Sequence, residues 1–141
     1  MKSQEYNEFI KSIELKSIIL TKIEAELIKK EFEPELNVDI QSKSTTTFTE
    51  NNILFFTTFS LKIKKREKKF ATITLTFLTK YSSKLKPEKE LIDFFEKHSL
   101  LITLWPYLRF WVQTIIQSWG WPPLTLPLLK QIPKTNKNKN K

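Results

Sequence analysis

The sequence predicts an α+β fold: a four-stranded antiparallel β-sheet, expected as a meander, followed by a short helix and a long C-terminal helix packed on the sheet. Three observations predict it. Apolar residues recur at every second position through the first half of the chain and switch to a helical period after Pro87. The strand-like stretches are joined by short polar or charged connections, which favours antiparallel neighbours. All four tryptophans, Trp105, Trp111, Trp119 and Trp121, fall in the last third, in the stretch Leu104 to Leu124, which also holds a proline where a helix can start and a glycine where it can stop.

The elements follow in order. In the stretch Ile13 to Leu27, the residues Ile13, Leu15, Ile19, Ile23, Ala25 and Leu27 are expected on one face of a strand, with Ile18, Leu20 and Ile28 on the other. Leu36, Val38 and Ile40 alternate with Glu35, Asn37, Asp39 and Gln41, which marks a half-buried second strand. Residues 42–52 have turn-forming side chains and no apolar period. Ile53, Phe55, Phe59, Leu61 and Ile63 line a third strand, and Ala71, Ile73, Leu75 and Phe77 a fourth, whose other face carries Thr72, Thr74 and Thr76. The run Lys64-Lys65-Arg66-Glu67-Lys68 between them reads as a hairpin tip. Without Asn-Gly or Gly-Gly, its loop is expected to exceed two residues.

Pro87 suits a first helical position, and Glu88 and Glu90 complement the dipole of a short helix presenting Leu91, Phe94, Phe95 and His98 on one face. A longer helix is expected to begin near Pro106. Leu104, Trp105, Leu108, Trp111, Val112, Ile115, Ile116 and Trp119 fill an arc of about 140° on it, with Arg109, Gln113, Thr114 and Gln117 opposite. Phe110 and Tyr107 depart from that pattern. Gly120 is placed as the left-handed stop, and Pro122 and Pro123 forbid continuation. Leu124, Leu126, Leu128 and Leu129 then form an extended Pro-rich apolar segment.

Composition bounds the function. The length of 141 residues fits one domain, residues 1–133, with residues 134–141 as a disordered Lys/Asn tail. There is no cysteine, which removes thiolate chemistry and fits the cytoplasm. The single glycine excludes a glycine-rich phosphate loop. Glu5, Glu8, Lys11, Glu14 and Lys16 interrupt any N-terminal apolar run, so no secretory signal is expected. Arg109, Gln113 and the prolines deny the C-terminal third a membrane span. His98 is the only histidine, so no histidine pair or catalytic dyad can form within the chain. The acidic run Glu24, Glu26, Glu31, Glu33 and Glu35 reads as solvated strand edge. No metal, cofactor or catalytic residue is expected, and the chain is expected not to be an enzyme. The net charge of +9 invites a nucleic-acid partner. Its basic residues gather in a hairpin and a tail, however, and the aromatics do not interleave with them as base-stacking platforms require.

The segment Trp105-Pro106-Tyr107-Leu108-Arg109, followed by an apolar helix, the stop at Gly120 and Pro122-Pro123-Leu124-Thr125-Leu126-Pro127, resembles the SecB protein-export chaperones and SecB-like proteins. That family opens its long helix with Phe/Tyr-Pro-Tyr-x-Arg-Glu and follows it with Gly-x-x-Pro-x-Leu-x-Leu-x-Pro. Phe32-Glu33-Pro34-Glu35-Leu36-Asn37-Val38-Asp39-Ile40 is similar to the family's approach to its second strand. The order of elements matches from Ile13 to Leu129. The resemblance implies a homotetramer, a dimer of dimers, that holds unfolded polypeptides or preproteins without ATP. Delivery is commonly to the SecA motor, and some relatives serve a single antitoxin. Three features depart from the pattern: Phe110 stands where the family has Glu, the chain is basic where export members are acidic, and the last helix is reduced to Leu128-Leu129-Lys130-Gln131-Ile132. The charge argues against SecA, which family carboxylates engage.

The function expected is therefore a holdase with an aromatic surface. Its client-binding residues are expected to be Trp105, Tyr107, Phe110, Trp119, Trp121, Leu124 and Leu126, with Phe70 exposed on the Thr-rich face of its strand. Leu104, Leu108, Trp111, Val112 and Ile115 are expected to form the helix core and oligomer interface. A chaperone dedicated to one partner and a basic nucleic-acid-binding domain are the alternatives.

Overall fold

A computed structural model describes residues 3–84 and 86–126. The expected segment Leu128 to Ile132 and the tail 134–141 lie outside the described residues. Helix α1 (Ser3–Ser12) precedes four strands, β1 (Ile13–Leu27), β2 (Asn37–Thr49), β3 (Asn52–Lys65) and β4 (Lys68–Ser83), and two helices follow, α2 (Lys89–Lys97) and α3 (Ser99–Ser118). The α+β architecture is as the sequence predicts. The sheet is antiparallel in the order β1-β4-β3-β2. Only β2, β3 and β4 form a meander, because the nine residues between β1 and β2 carry the chain across the sheet and place β1 beyond β4.

The two turns of the meander are tighter than expected. Lys65 pairs with Lys68, so Arg66-Glu67 is a two-residue turn with Arg66 at φ 57°. The other turn, Glu50-Asn51, joins the Thr49–Asn52 pair with Asn51 at φ 64°. A left-handed residue in each replaces the glycine that such turns favour, and a register shift at Ile63/Lys64 eases the first. Strand β2 runs on to Thr49, through residues expected as loop. Its threonines favour a pleated surface without an apolar period, and Ser44 meets the buried Thr57 hydroxyl at 2.8 Å.

Strand β1 carries irregularities at Leu15/Ser17 and Leu20/Lys22. Each inserts a residue and changes the side-chain phase. Ile18 faces Thr79 and Leu20 faces Phe77 on the helix side, whereas Ile19 faces Leu78 on the opposite side, reversing the expected assignment. On β3 and β4 the expected faces hold: Ile53, Phe55, Phe59, Leu61, Ile63, Ala71, Ile73, Leu75 and Phe77 are all buried.

Helices α2 and α3 cover that face through Ile92, Phe95, Leu100, Leu104, Leu108, Val112 and Ile116. They are nearly one helix, bent at His98, whose N–H bonds to the carbonyls of Phe94 and Phe95. The long helix thus begins seven residues before Pro106. Proline removes the hydrogen bond that Ile102 O would accept. Ile102 is 62% exposed, which puts this turn on the solvent side of α3, where the helix passes through the proline. At the other end Gly120, φ 78°, closes the helix with Gly120 N–H bonded to Gln117 O and Trp121 N–H to Ile116 O, the two bonds of a Schellman motif. Helix α1 lies ahead of the expected elements and has Tyr6, Phe9 and Ile10 at helical spacing. Its Phe9 packs edge-on against Phe95, and the Tyr6 hydroxyl lies 2.5 Å from Ser99 Oγ.

Candidate functional site

One stripe of α3 meets the sheet, and the stripe beside it stays open. Phe110 is 62% exposed and Tyr107 40% exposed, and with Pro106 and Trp111 they roof a pocket of about 270 Å³ floored by Ile18, Leu20 and Phe77. The floor depends on β1. The residues between its two register shifts turn Ile18 and Leu20 toward the helix at the edge of the sheet, beyond which no strand lies among the described residues. Pro106 and Phe110 also border a more polar depression lined by Arg109, Gln113, Thr114 and Gln117. An extended apolar chain laid along α3 would meet carbon on one side of Phe110 and hydrogen-bonding groups on the other.

A second aromatic cluster caps the C-terminal end of α3. Trp121 contacts Trp119 and Phe32 edge-on, with centroids 5.3 and 5.7 Å apart, and its indole N–H donates to Lys30 O at 3.2 Å. The Gln113 side-chain amide donates to Leu124 O at 2.6 Å, which holds the segment after the helix against α3. This cluster ties the β1–β2 connection to the helix end. It is largely a packing feature, since Trp121 is only 4% exposed.

The expected client-binding residues therefore divide. Tyr107 and Phe110 lie in the open pocket, and Trp119 and Leu124 are half-buried beside the second cluster. Trp105, Trp121, Leu126 and Phe70 are buried. Trp105 points inward on Phe59, centroids 6.5 Å apart. Phe70 is not on the Thr-rich face: its carbonyl accepts the N–H groups of Ile28 and Lys29, and the crossing chain encloses it. Of the expected helix-core set, Leu104, Leu108 and Val112 are fully buried within the chain, while Trp111 and Ile115 keep an open side. Ile18, Leu20 and Phe77, which floor the pocket, are not among the residues expected at a site. The sequence signal for the first two was the uninterrupted apolar triplet Ile18-Ile19-Leu20, which no half-buried strand requires.

Burial displaces two ionisable groups at the α2 end of the molecule. It pushes the Tyr81 hydroxyl up, partly offset by a hydrogen bond with Thr103, and it pushes the Glu96 carboxyl up, partly offset by the hydroxyl of Thr46. Among the described residues no group of three His, Asp or Glu side chains is placed to hold a metal ion. No helix of that part is long and apolar enough to cross a membrane.

This geometry has a counterpart among solved structures. A SecB-like chaperone from Mycobacterium tuberculosis, in complex with a ChAD peptide from the HigA1 antitoxin, superposes with a TM-score of 0.77 over 89% of this chain and 96% of its own, at 19% identity. The chain has the SecB-like chaperone fold. A protein of unknown function from Streptococcus agalactiae is a looser likeness, with a TM-score of 0.49 and 10% identity over 82% of this chain and 97% of that one. No family model matches the chain, and no curated protein is significantly similar to it. At 19% identity, the likeness to the Mycobacterium tuberculosis structure shows the arrangement of sheet and long helix alone.

Proposed function

We propose that this protein is an ATP-independent holdase of the cytoplasm that binds unfolded polypeptide through the apolar surface around Tyr107 and Phe110. The observation that supports it is the open pocket itself: aromatic rings roofing an apolar floor, left uncovered after the sheet is satisfied. Unfolded chains offer apolar side chains and an extended backbone, and burial at about 25 cal/mol per Å² rewards any of them without asking for a sequence. Each contact is shallow, so useful affinity requires repetition. A homotetramer, a dimer of dimers, would supply it by presenting several pockets to one client. Trp111 and Ile115, half-buried beside the pocket, are the residues we assign to subunit contact.

The SecB-like structure that holds an antitoxin peptide favours a second reading, in which the chain serves one dedicated partner. A nucleic-acid role finds less support. Six of the nine excess positive charges belong to Lys2, Lys130, Lys134, Lys137, Lys139 and Lys141, outside the described residues, and the remainder carries only +3.

The test is suppression of aggregation of two unrelated denatured proteins, with light scattering to give the size of the assembly. Suppression of both at near-stoichiometric amounts by an oligomer supports the general holdase. No suppression, together with tight binding of a single antitoxin-like segment, replaces it with the dedicated chaperone. A monomer that does neither refutes both.

A further inference from the structure

The face of the sheet turned away from the helices carries a feature that client holding does not use. Most of it is hydroxyl-bearing, as a solvent face should be: Thr58, Ser60, Thr72, Thr74 and Thr76 follow one another on β3 and β4. Across the middle, however, the register sets Ile19 of β1, Leu78 of β4 and Phe56 of β3 side by side in one row, and Leu54 adjoins them in the next. The row is open, with Ile19 49% and Phe56 39% exposed. Helix packing cannot account for it, because the helices cover the other face.

Charge around the row is one-sided. The bordering row on one side ends in Lys22 and Lys43, and the row on the other side holds Lys80. Lys22 is engaged by Glu24 at 3.4 Å, whereas Lys43 and Lys80 make no ion pair among the described residues. Glu24, Glu26 and Asp39 toward the hairpin end of this face, and Glu14 toward its other end, stand two or more rows away, and rows are about 7 Å apart.

From this juxtaposition we propose that the outer sheet face is a docking surface for an acidic amphipathic segment of a partner protein, whose apolar side chains lie over Ile19, Leu78 and Phe56 and whose carboxylates reach Lys43 and Lys80. The apolar row supplies affinity by burial. The lysines select the sign of the partner and speed its approach. The surface is separate from the pocket on α3, so a partner and a client can be held together.

The probe is a set of twelve-residue peptides with Leu and Phe at helical spacing flanked by Glu, compared with the same peptides carrying Lys in place of Glu. Binding is followed by fluorescence anisotropy on the full chain. The acidic set is expected to bind at least about tenfold more tightly than the basic set, and to weaken as salt rises. The paired substitutions Ile19→Ser and Phe56→Ser are expected to lower that binding about tenfold, and Lys43→Glu with Lys80→Glu to reverse the charge preference. Phe110→Ser, which weakens both sets alike at the client pocket, should leave the preference for the acidic set unchanged, and that separates the two surfaces. Equal binding of both sets, no binding of the acidic set, or loss with Phe110→Ser but not with the outer-face variants would overturn the proposal. So would a change of oligomeric state on replacing Phe56, which would make the row a contact between copies.

Discussion

Replacing Phe110 by serine removes a ring that α3 leaves 62% exposed at the rim of the open pocket. A phenylalanine side chain presents about 200 Å², so about 120 Å² of this one is available to a client. If a bound segment covers two thirds of it, burial contributes about 2 kcal/mol. Ordering the client there takes back about 0.5–1 kcal/mol. The net of about 1–1.5 kcal/mol corresponds to a roughly tenfold loss of affinity per site. Because the ring makes little contact within the chain, the variant should keep its stability to within about 0.5 kcal/mol. The assay is titration of a labelled, permanently unfolded polypeptide, with thermal unfolding and light scattering as controls. Affinity within twofold of the parent, on an intact oligomer, would refute the placement of the client at Phe110. Dissociation of the oligomer would reassign the ring to a subunit contact.

Three further outcomes follow from the packing. Phe55→Ala empties a fully buried site where Phe55 stacks on Phe95 at 5.3 Å and meets Tyr81 edge-on; a loss of about 3–5 kcal/mol in urea unfolding is expected, a large part of the stability of a domain this size. Gly120→Ala meets no atom within 4 Å of the added Cβ, so its cost is the left-handed backbone alone. That is about 1–2 kcal/mol, visible as a Tm lowered by several degrees, and a much larger loss would mean that the helix end had moved. Glu96→Gln tests the buried carboxyl. Burial raises its pKa despite the Thr46 hydrogen bond, so the folded chain holds this proton more tightly than the unfolded chain does. Its stabilising contribution is present at acid pH and lost as pH rises through the raised value. The amide keeps an acceptor for Thr46 and carries no charge, so the variant should melt higher than the parent at pH 7, with the gap closing below about pH 4. A variant that melts lower at pH 7 would show that the carboxylate is favoured where it stands.

Much of the architecture was legible because its causes are local. Alternation on β3 and β4, the helical period after Pro87 and the Gly120 stop each depend on neighbours in sequence, and the fold class and the helix end follow from them. The motif around Pro106-Tyr107 pointed to the SecB-like fold, and the departure of Tyr107 and Phe110 from the apolar arc of the helix agrees with their exposure at the open pocket. The misplaced features share a different origin. Thr45, Thr46 and Thr47 carry no period, so the length of β2 became visible only through its pairing with β3. The phase of β1 depends on two irregularities with no glycine or proline to announce them. Periodicity also could not tell that Trp105 and Phe70 would be buried while Phe110 and Phe56 stayed open, since the same apolar side chain serves either end.

The sequence by itself thus determined that a sheet would be followed by a long tryptophan-rich helix stopped at Gly120, because period, capping and turn chemistry act over a few residues. Only the tertiary structure decided the strand order β1-β4-β3-β2, and with it which apolar residues remain in solvent. The physical reason is that exposure is a property of what else arrives at a surface. α3 covers one face of the sheet and stops short of the β1 edge, and that shortfall, encoded in no single residue, leaves the pocket open.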